Sequence, residues 1–160
     1  LGRIVVGLGD MKVSNTSGDD LVTHSLGSCV GVAIHDPLMR IGGLLHVMLP
    51  YAELSPRRAQ TTPCMFADTG LPRLFQAAYQ MGAQKQRLRV VLVGGAHIIH
   101  GEDCYNIGKR NYLAVRRILW RNNVFVTAEE VGGTATRTMR LDIASGEVTV
   151  RINAEFIKRL

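Results

Sequence analysis

Long apolar runs are missing from this chain. Charges or turn residues interrupt every one well short of the ~20 residues that a membrane-crossing helix needs, so no direct membrane insertion is expected. The opening residues Leu1 to Leu8 lack the basic, apolar and small-residue succession of an export signal. Cysteine is scarce: three, an odd number at unrelated spacings, make neither a disulfide framework nor a paired Cys-x-x-Cys metal site. A reducing, cytoplasmic setting is the expectation that follows. Aromatics are few, with four Phe, four Tyr and one Trp accompanying a net charge of +6, and no nucleic-acid module is visible. The basic balance points to an acidic partner other than nucleic acid. There is no internal repeat, low-complexity tract or composition shift, so residues 1–160 read as a single domain, long enough to bury its own core.

What is present is a succession of short extended runs and two helical patterns. Arg3 to Leu8 reads as a strand ending at Gly9-Asp10, with Met11 to Val13 continuing it. Ser14 to Asp20 is a polar turn, and Leu21 to Ser25 a short extended piece. Pro50 to Thr62 reads as an exposed polar connection. Leu71, Leu74, Phe75 and Ala78 recur at helical spacing, predicting a helix over about Leu71 to Met81 with Asp68 as its cap, Pro72 in its first turn and Gly82 as its stop; a start near Cys64 would instead put Pro72 inside the helix and kink it. Leu88 to Val93 is a continuous apolar strand suited to the middle of a sheet. A second helix is expected over Lys109 to Arg121, with Tyr112, Val115, Ile118 and Leu119 as its apolar stripe. Val124 to Val131, Thr134 to Ile143 and Glu147 to Asn153 read as an antiparallel meander, and Ala154 to Leu160 as a short basic helix. Two helices for so many strands imply an α/β sandwich with helices on one side of the sheets rather than a doubly wound sheet.

The segment Thr23-His24-Ser25-Leu26-Gly27-Ser28-Cys29 heads an alternating apolar run that ends at the turn signal Asp36-Pro37. A second apolar run, Ile41 to Leu49, carries His46. Pairing the two runs across a loop of Asp36 to Met39 sets His35 against Arg40 and Cys29 directly against His46, with Cβ atoms roughly 5 Å apart. Val30, Val32 and Ile34 then pair with Leu45, Gly43 and Ile41 on one face. Cys29, Gly31 and Ala33 share the other face with His46, Leu44 and Gly42, where small residues leave room for close approach. The turn residues Gly27 and Ser28 can present backbone N–H groups that stabilise a thiolate and bind an oxyanion. Each residue also has a structural reading: a buried cysteine is commonly inert, a histidine in an apolar run commonly bonds to backbone, and a threonine in a strand needs no explanation. Register is what joins Cys29 to His46. Thr23 gains interest only as a group that orients the imidazole.

The segment His97 to Cys104, with His97, His100, Glu102, Asp103 and Cys104, collects metal-ligating side chains. Its spacing is neither a helical His-x-x-x-His nor a paired cysteine motif, so no metal site is expected. The Gly7-Leu8-Gly9 and Gly94-Gly95 pairs are too short for a dinucleotide fingerprint and read as turns, leaving no expected cofactor.

Thr23, then Leu26-Gly27-Ser28-Cys29-Val30, then His46-Val47-Met48-Leu49-Pro50, resemble the active-site segments of the CheD family, chemoreceptor glutamine deamidases of bacterial chemotaxis. The resemblance continues through Phe66 to Thr69, Met81-Gly82-Ala83, Gly94-Gly95-Ala96, Asn106 to Asn111, Glu130 to Gly133 and Ser145-Gly146, covering nearly the whole chain in order. It implies a layered α/β/β fold with mixed, mostly antiparallel sheets, similar to the catalytic domain of cytotoxic necrotizing factor toxins. It also implies Cys29 as nucleophile, His46 as general base and acid, and Thr23 as the third member, with Gly27 and Ser28 supporting the turn and no metal or organic cofactor. Implied too are methyl-accepting chemotaxis receptors as substrates, through their cytoplasmic coiled coil at receptor arrays, docking to a CheC-type phosphatase, and an accessory methylesterase activity. On this reading His46 and the Gly-Ser-Cys turn lower the Cys29 thiol pKa. The chain departs from the family pattern at His24-Ser25 and in the composition of the His97 to Tyr105 loop. Two other readings fit the residues: a regulatory binding module for the phosphatase, and a thiol amidase acting on another protein.

Overall fold

The computed structural model describes residues 2–98, 106–153 and 156–160. Among these, ten strands and three α-helices build three layers. The strands are β1 (Gly2–Val5), β2 (Met11–Ser14), β3 (Asp19–Leu26), β4 (Val30–Asp36), β5 (Ile41–Val47), β6 (Arg89–Gly94), β7 (Ala128–Val131), β8 (Arg137–Asp142), β9 (Val148–Ile152) and β10 (Phe156–Arg159). The helices are α1 (Pro56–Thr61), α2 (Ala67–Met81) and α3 (Ile107–Arg121). One five-stranded sheet runs β1-β3-β8-β9-β10 and the other β2-β5-β4-β6-β7. Most pairings are antiparallel; β1 with β3 and β6 with β7 are parallel. The second sheet is the middle layer. One face, with Val30, Val32, Ile34, Leu45 and Val47, packs under α2 and α3. The other, with Ala33, Leu44, Val91 and Val93, packs on Leu21, Leu26, Met139 and Leu141 of the first sheet. The layered α/β/β sandwich is therefore as expected.

The hairpin of β4 and β5 keeps the expected faces but not the expected register. Val30 pairs with Val47, Gly31 with His46, Val32 with Leu45 and Asp36 with Ile41. The four-residue loop lies one residue further along than expected. Asp36 is the cause: its fully buried carboxylate accepts from the Leu38 and Met39 N–H groups and so closes the turn behind itself. A shift of two in the pairing leaves each side chain on its original face. The small residues on the inner face serve the sheet-to-sheet contact, since a Cβ at Gly31 would run into Met139 and Leu26.

Other expectations change. Met11–Ser14 is not a continuation of β1; the chain crosses at Gly7–Asp10 into the other sheet, where β2 pairs with β5. Residues 124–153 do not form one meander, because β7 joins β6 in parallel while β8 and β9 belong to the opposite sheet. The tail is a strand rather than a helix, with Phe156–Arg159 pairing on β9. Within Pro50 to Thr62, α1 forms from Pro56, a residue suited to a first helical turn. Helix α2 starts earlier than its apolar stripe, at Ala67, and tolerates Pro72 inside it. Phe66 is its N-cap; Asp68 instead accepts from the Ala52 N–H at 2.9 Å.

Asp36 also anchors the approach to β6. Arg87 donates to both of its oxygens at 3.0 and 3.1 Å, and the Gln84 N–H adds a bond at 3.0 Å. Burial pushes the carboxyl pKa up, but the Arg87 hydrogen bonds, the Gln84 and Met39 N–H groups and the guanidinium charge outweigh it, leaving the group near 2. A carboxylate depressed on folding stabilises above its unfolded pKa and loses that contribution as pH falls through the folded value. The contribution is at most about 2 kcal/mol, less to the extent that water screens Arg87. Asp36→Asn should destabilise by about 2–4 kcal/mol in urea denaturation at pH 7, leaving Arg87 unpaired. The gap between variant and wild type should narrow between pH 4 and pH 2; a gap that stays constant there would exclude the carboxylate as its source.

Candidate active site

Three elements converge where β4 and β5 end. Thr23 lies on β3 of the first sheet, fully buried and facing the second. His46 lies on β5, also fully buried, its N–H donating to the Asp10 carbonyl at 3.0 Å. Gly31 pairs directly with it, and the place its side chain would take is filled by Met139 and Leu26 of the first sheet. Cys29 stands two residues before Gly31, half-buried at the edge of the inter-sheet core. Its carbonyl accepts from the Gly95 N–H at 2.8 Å, carrying the β4–β6 pairing one step past Val30. Cys29 is thus the diagonal neighbour of His46, not its direct partner. Diagonal residues on one face stand roughly 7 Å apart, somewhat less between Cβ atoms. The structure brings Thr23, Cys29 and His46 to one place by a register other than the expected one.

The hydrogen bonds assign the imidazole tautomer. The Thr23 hydroxyl donates to the Val6 carbonyl at 2.8 Å, a group that can only accept. Its single proton is therefore spent. At 2.6 Å from His46 Nδ1, the Thr23 oxygen accepts from Nδ1–H. The lone pair is then on Nε2, which is buried with no hydrogen-bond partner among the described residues. An unprotonated nitrogen held in one orientation is what a general base requires. Val6, seventeen positions from Thr23, was not legible in sequence, because the group that matters is its carbonyl.

The resting charge state differs from expectation. Burial pushes the Cys29 thiol up to about 11, its own backbone N–H acting weakly in the opposite direction. Burial likewise holds His46 down near 4. A carboxylate in the third position would stabilise an imidazolium, but the Thr23 oxygen is neutral. At neutral pH the pair is thiol and imidazole, not thiolate and imidazolium. The turn does not lower the thiol pKa below its ordinary value.

The turn itself is built differently from expectation as well. The Gly27 N–H is already committed to the Ser25 carbonyl at 3.0 Å, and the Gly27 carbonyl accepts from Ala96 at 2.8 Å. Gly27 therefore supports the turn. The Ser28 and Cys29 N–H groups donate to no backbone carbonyl among the described residues, which makes them the oxyanion donors on offer. The Ser28 carbonyl is taken by the Asn111 side chain at 3.0 Å. Asn111, a fully buried polar residue at helical spacing with Val115 and Ile118, is the sequence signal that pattern reading passed over. His97 lies nearby, its N–H on the Gly133 carbonyl at 2.8 Å, whereas His100, Glu102, Asp103 and Cys104 lie outside the described residues. No cluster of metal-ligating side chains occurs among the described residues. A groove between α2 and α3, lined by Phe75, Tyr79 and Ile118, belongs to the helical layer and holds neither cysteine nor histidine.

A neutral resting pair makes Cys29 slow towards electrophiles until pH approaches its thiol pKa. Peptide mapping after iodoacetamide treatment should show Cys29 labelling that climbs steadily from pH 6 to pH 9. Fast labelling, flat from pH 5 to 8, would mean a resting thiolate.

Comparison with known proteins places the chain. The CheD family model, described as chemotactic sensory transduction, matches residues 48–152. A protein of Syntrophus aciditrophicus named probable chemoreceptor glutamine deamidase CheD 1 is 45% identical over 160 residues, the full length of both chains. Proteins similarly named are 43% identical over 153 residues in Solibacter usitatus, covering 96% of this chain and 90% of that one, and 45% identical over 151 residues in Anaeromyxobacter dehalogenans, covering 94% and 95%. Among solved structures, Neisseria meningitidis protein NMB0706 superposes with a TM-score of 0.46 at 15% identity over 82% of this chain and 63% of its own. No helix among the described residues is long and apolar enough to cross a membrane. With the family model spanning most of its length and full-length relatives at more than 40% identity, this chain belongs to the CheD family.

Proposed function

We propose that this chain is a cysteine hydrolase that converts glutamine side chains of chemoreceptors to glutamate, with Cys29 as nucleophile, His46 as base and acid, and Thr23 as the residue that orients His46. The observation that carries the reading is the unpartnered Nε2 of His46, its tautomer set by Thr23 and Val6, on a residue diagonal to Cys29 on the same sheet face. Relatives at this identity are named for chemoreceptor glutamine deamidation, which supplies the substrate class.

The chemistry proceeds from a neutral pair. As the Cys29 sulfur attacks the carboxamide carbon, His46 Nε2 takes the thiol proton, so the thiolate forms only in the reacting complex. The oxygen that gains charge lies against the Ser28 and Cys29 N–H groups; one such donor typically lowers the barrier by about 3 kcal/mol. His46, now cationic, gives its proton to the departing nitrogen, and ammonia leaves a thioester. Water then attacks the thioester carbon, losing its proton to His46, and the sulfur departs with that proton as the carboxylic acid forms. Nδ1–H stays on the Thr23 oxygen throughout, which keeps Nε2 aimed. The product carries a new negative charge, ionised at neutral pH.

Substrate engagement follows from charge. Beside Gly95 lies a surface depression lined by His97, Asn106, Tyr112 and the exposed cation Lys109, with the exposed Arg110 next to it in sequence. This supports a receptor segment of acidic character, read here as the cytoplasmic coiled coil of methyl-accepting receptors within cytoplasmic arrays. Docking of a CheC-type phosphatase and hydrolysis of receptor methyl esters are further expectations at the same site.

Incubation of a purified receptor cytoplasmic fragment with the protein should yield the mass gain of amide-to-acid conversion at mapped glutamines. Cys29→Ala should abolish it while the melting temperature stays near that of wild type. Conversion that persists in Cys29→Ala would remove the nucleophile assignment. Thr23→Val should lower kcat about 10- to 100-fold, because Nδ1–H loses its acceptor and the ring its orientation. The pH–rate profile should fall on the acid side with an apparent pKa near 4, where His46 becomes protonated. A limb near 6.5 would indicate a solvated base instead.

A further inference from the structure

The β4–β5 ladder stops short of its chemistry. Its last pair is Val30 with Val47, so Cys29 on one side and Met48 on the other lie past the final rung. Asn111 of α3 occupies that gap. Its Nδ2 donates to the Ser28 carbonyl and to the Met48 carbonyl, each at 3.0 Å. The first of these residues precedes the nucleophile and the second follows the base by two positions. Asn111 is fully buried, and its Oδ1 has no hydrogen-bond partner among the described residues. Both donor protons are thus used across the strand ends while the acceptor goes unused, so bridging the two carbonyls is what this side chain supplies.

The helix is seated for that purpose. Gly108, one turn earlier on the same face, lies so close to the Ala96 carbonyl that no Cβ fits there. The Gly95 and Ala96 N–H groups bond in turn to the carbonyls of Cys29 and Gly27, both at 2.8 Å. The first turn of α3, the Gly95-Ala96 segment and the nucleophile turn form one stack.

We propose that Asn111 is a positioning residue for the reaction: its amide serves as an added rung that fixes the turn carrying Cys29 against the strand carrying His46. The proposal rests on the roles given above to those two residues. It predicts a loss in turnover rather than in substrate binding, since Asn111 is buried away from any substrate. It also predicts a change at the sulfur, because a loosened turn lets water reach the thiol.

The test uses the full chain with Asn111→Ala, which removes the donors, and Asn111→Asp, which keeps the shape but sets carboxylate oxygens against two carbonyls. Circular dichroism and thermal melting establish which variants fold; should Asn111→Asp not fold, Asn111→Ala carries the test, and the reverse. Cys29 labelling by iodoacetamide against pH should rise severalfold at pH 8 in a folded variant, as the thiol pKa relaxes towards its ordinary value. On the receptor fragment, kcat should fall about 10- to 100-fold with KM within threefold, the scale expected from a misplacement of about 1 Å. Unchanged labelling in a folded variant overturns the proposal, as does a kcat within threefold of wild type. A wild-type protein that deamidates nothing would defeat the functional reading instead, and the labelling profiles alone would then decide the role of Asn111.

Discussion

A single hydroxyl proton decides the character of this site. By placing it on the Val6 carbonyl, Thr23 becomes an acceptor towards His46 and fixes which imidazole nitrogen is bare. The arrangement needs three segments in register at once. Strand β1 must run parallel to β3 so that Val6 comes beside Thr23, and β3 must face β5 across the layer boundary. The crossing at Gly7–Asp10 links these demands, since its start holds Thr23 through Val6 and its end holds the His46 backbone through Asp10. Thr23 and His46 therefore sit in different sheets, and their geometry depends on how closely the two sheets pack. Gly31 and Gly42 permit that closeness, with Met139, Leu26, Leu141 and Ile143 occupying the space that side chains there would fill.

The absence of a carboxylate in the third position has an energetic corollary. A Ser-His-Asp arrangement stabilises the imidazolium that forms during reaction, whereas a hydroxyl offers orientation and little charge compensation. Burial of both Cys29 and His46 then favours the uncharged pair. In the proposed reaction, the oxyanion donors and the departing amine supply the driving force for proton movement only when substrate is present.

How far the sequence revealed this varies with the physical origin of each feature. The division of β4 and β5 into helix-facing and sheet-facing sides was legible, because alternation of apolar and small residues sets parity. Register was not, because it turns on Asp36, which reads as an ordinary turn residue until its burial and its bonds to Leu38, Met39 and Arg87 are seen. The strand β7 was located but given the wrong neighbours, since nothing in Ala128–Val131 tells a parallel partner from a meander. Four residues of Phe156–Arg159 are too few for period 2 and period 3.6 to be told apart. Cys29, His46 and Thr23 were found through chemistry and resemblance. Val6 and Asn111 were not, one because it acts through its backbone and the other because a polar residue on a helix reads first as solvated.

The neutrality of Cys29 at rest also bears on durability. Peroxides attack sulfur chiefly in its deprotonated form, and oxidation to sulfinic acid ends a cysteine's working life. An enzyme that stored an ionised sulfur at a half-buried position within reach of solvent would be inactivated between encounters with its target. On the mechanism proposed above, burial keeps the proton in place until a carbonyl arrives to accept the electron pair, so the same desolvation that delays reaction would also preserve the catalyst.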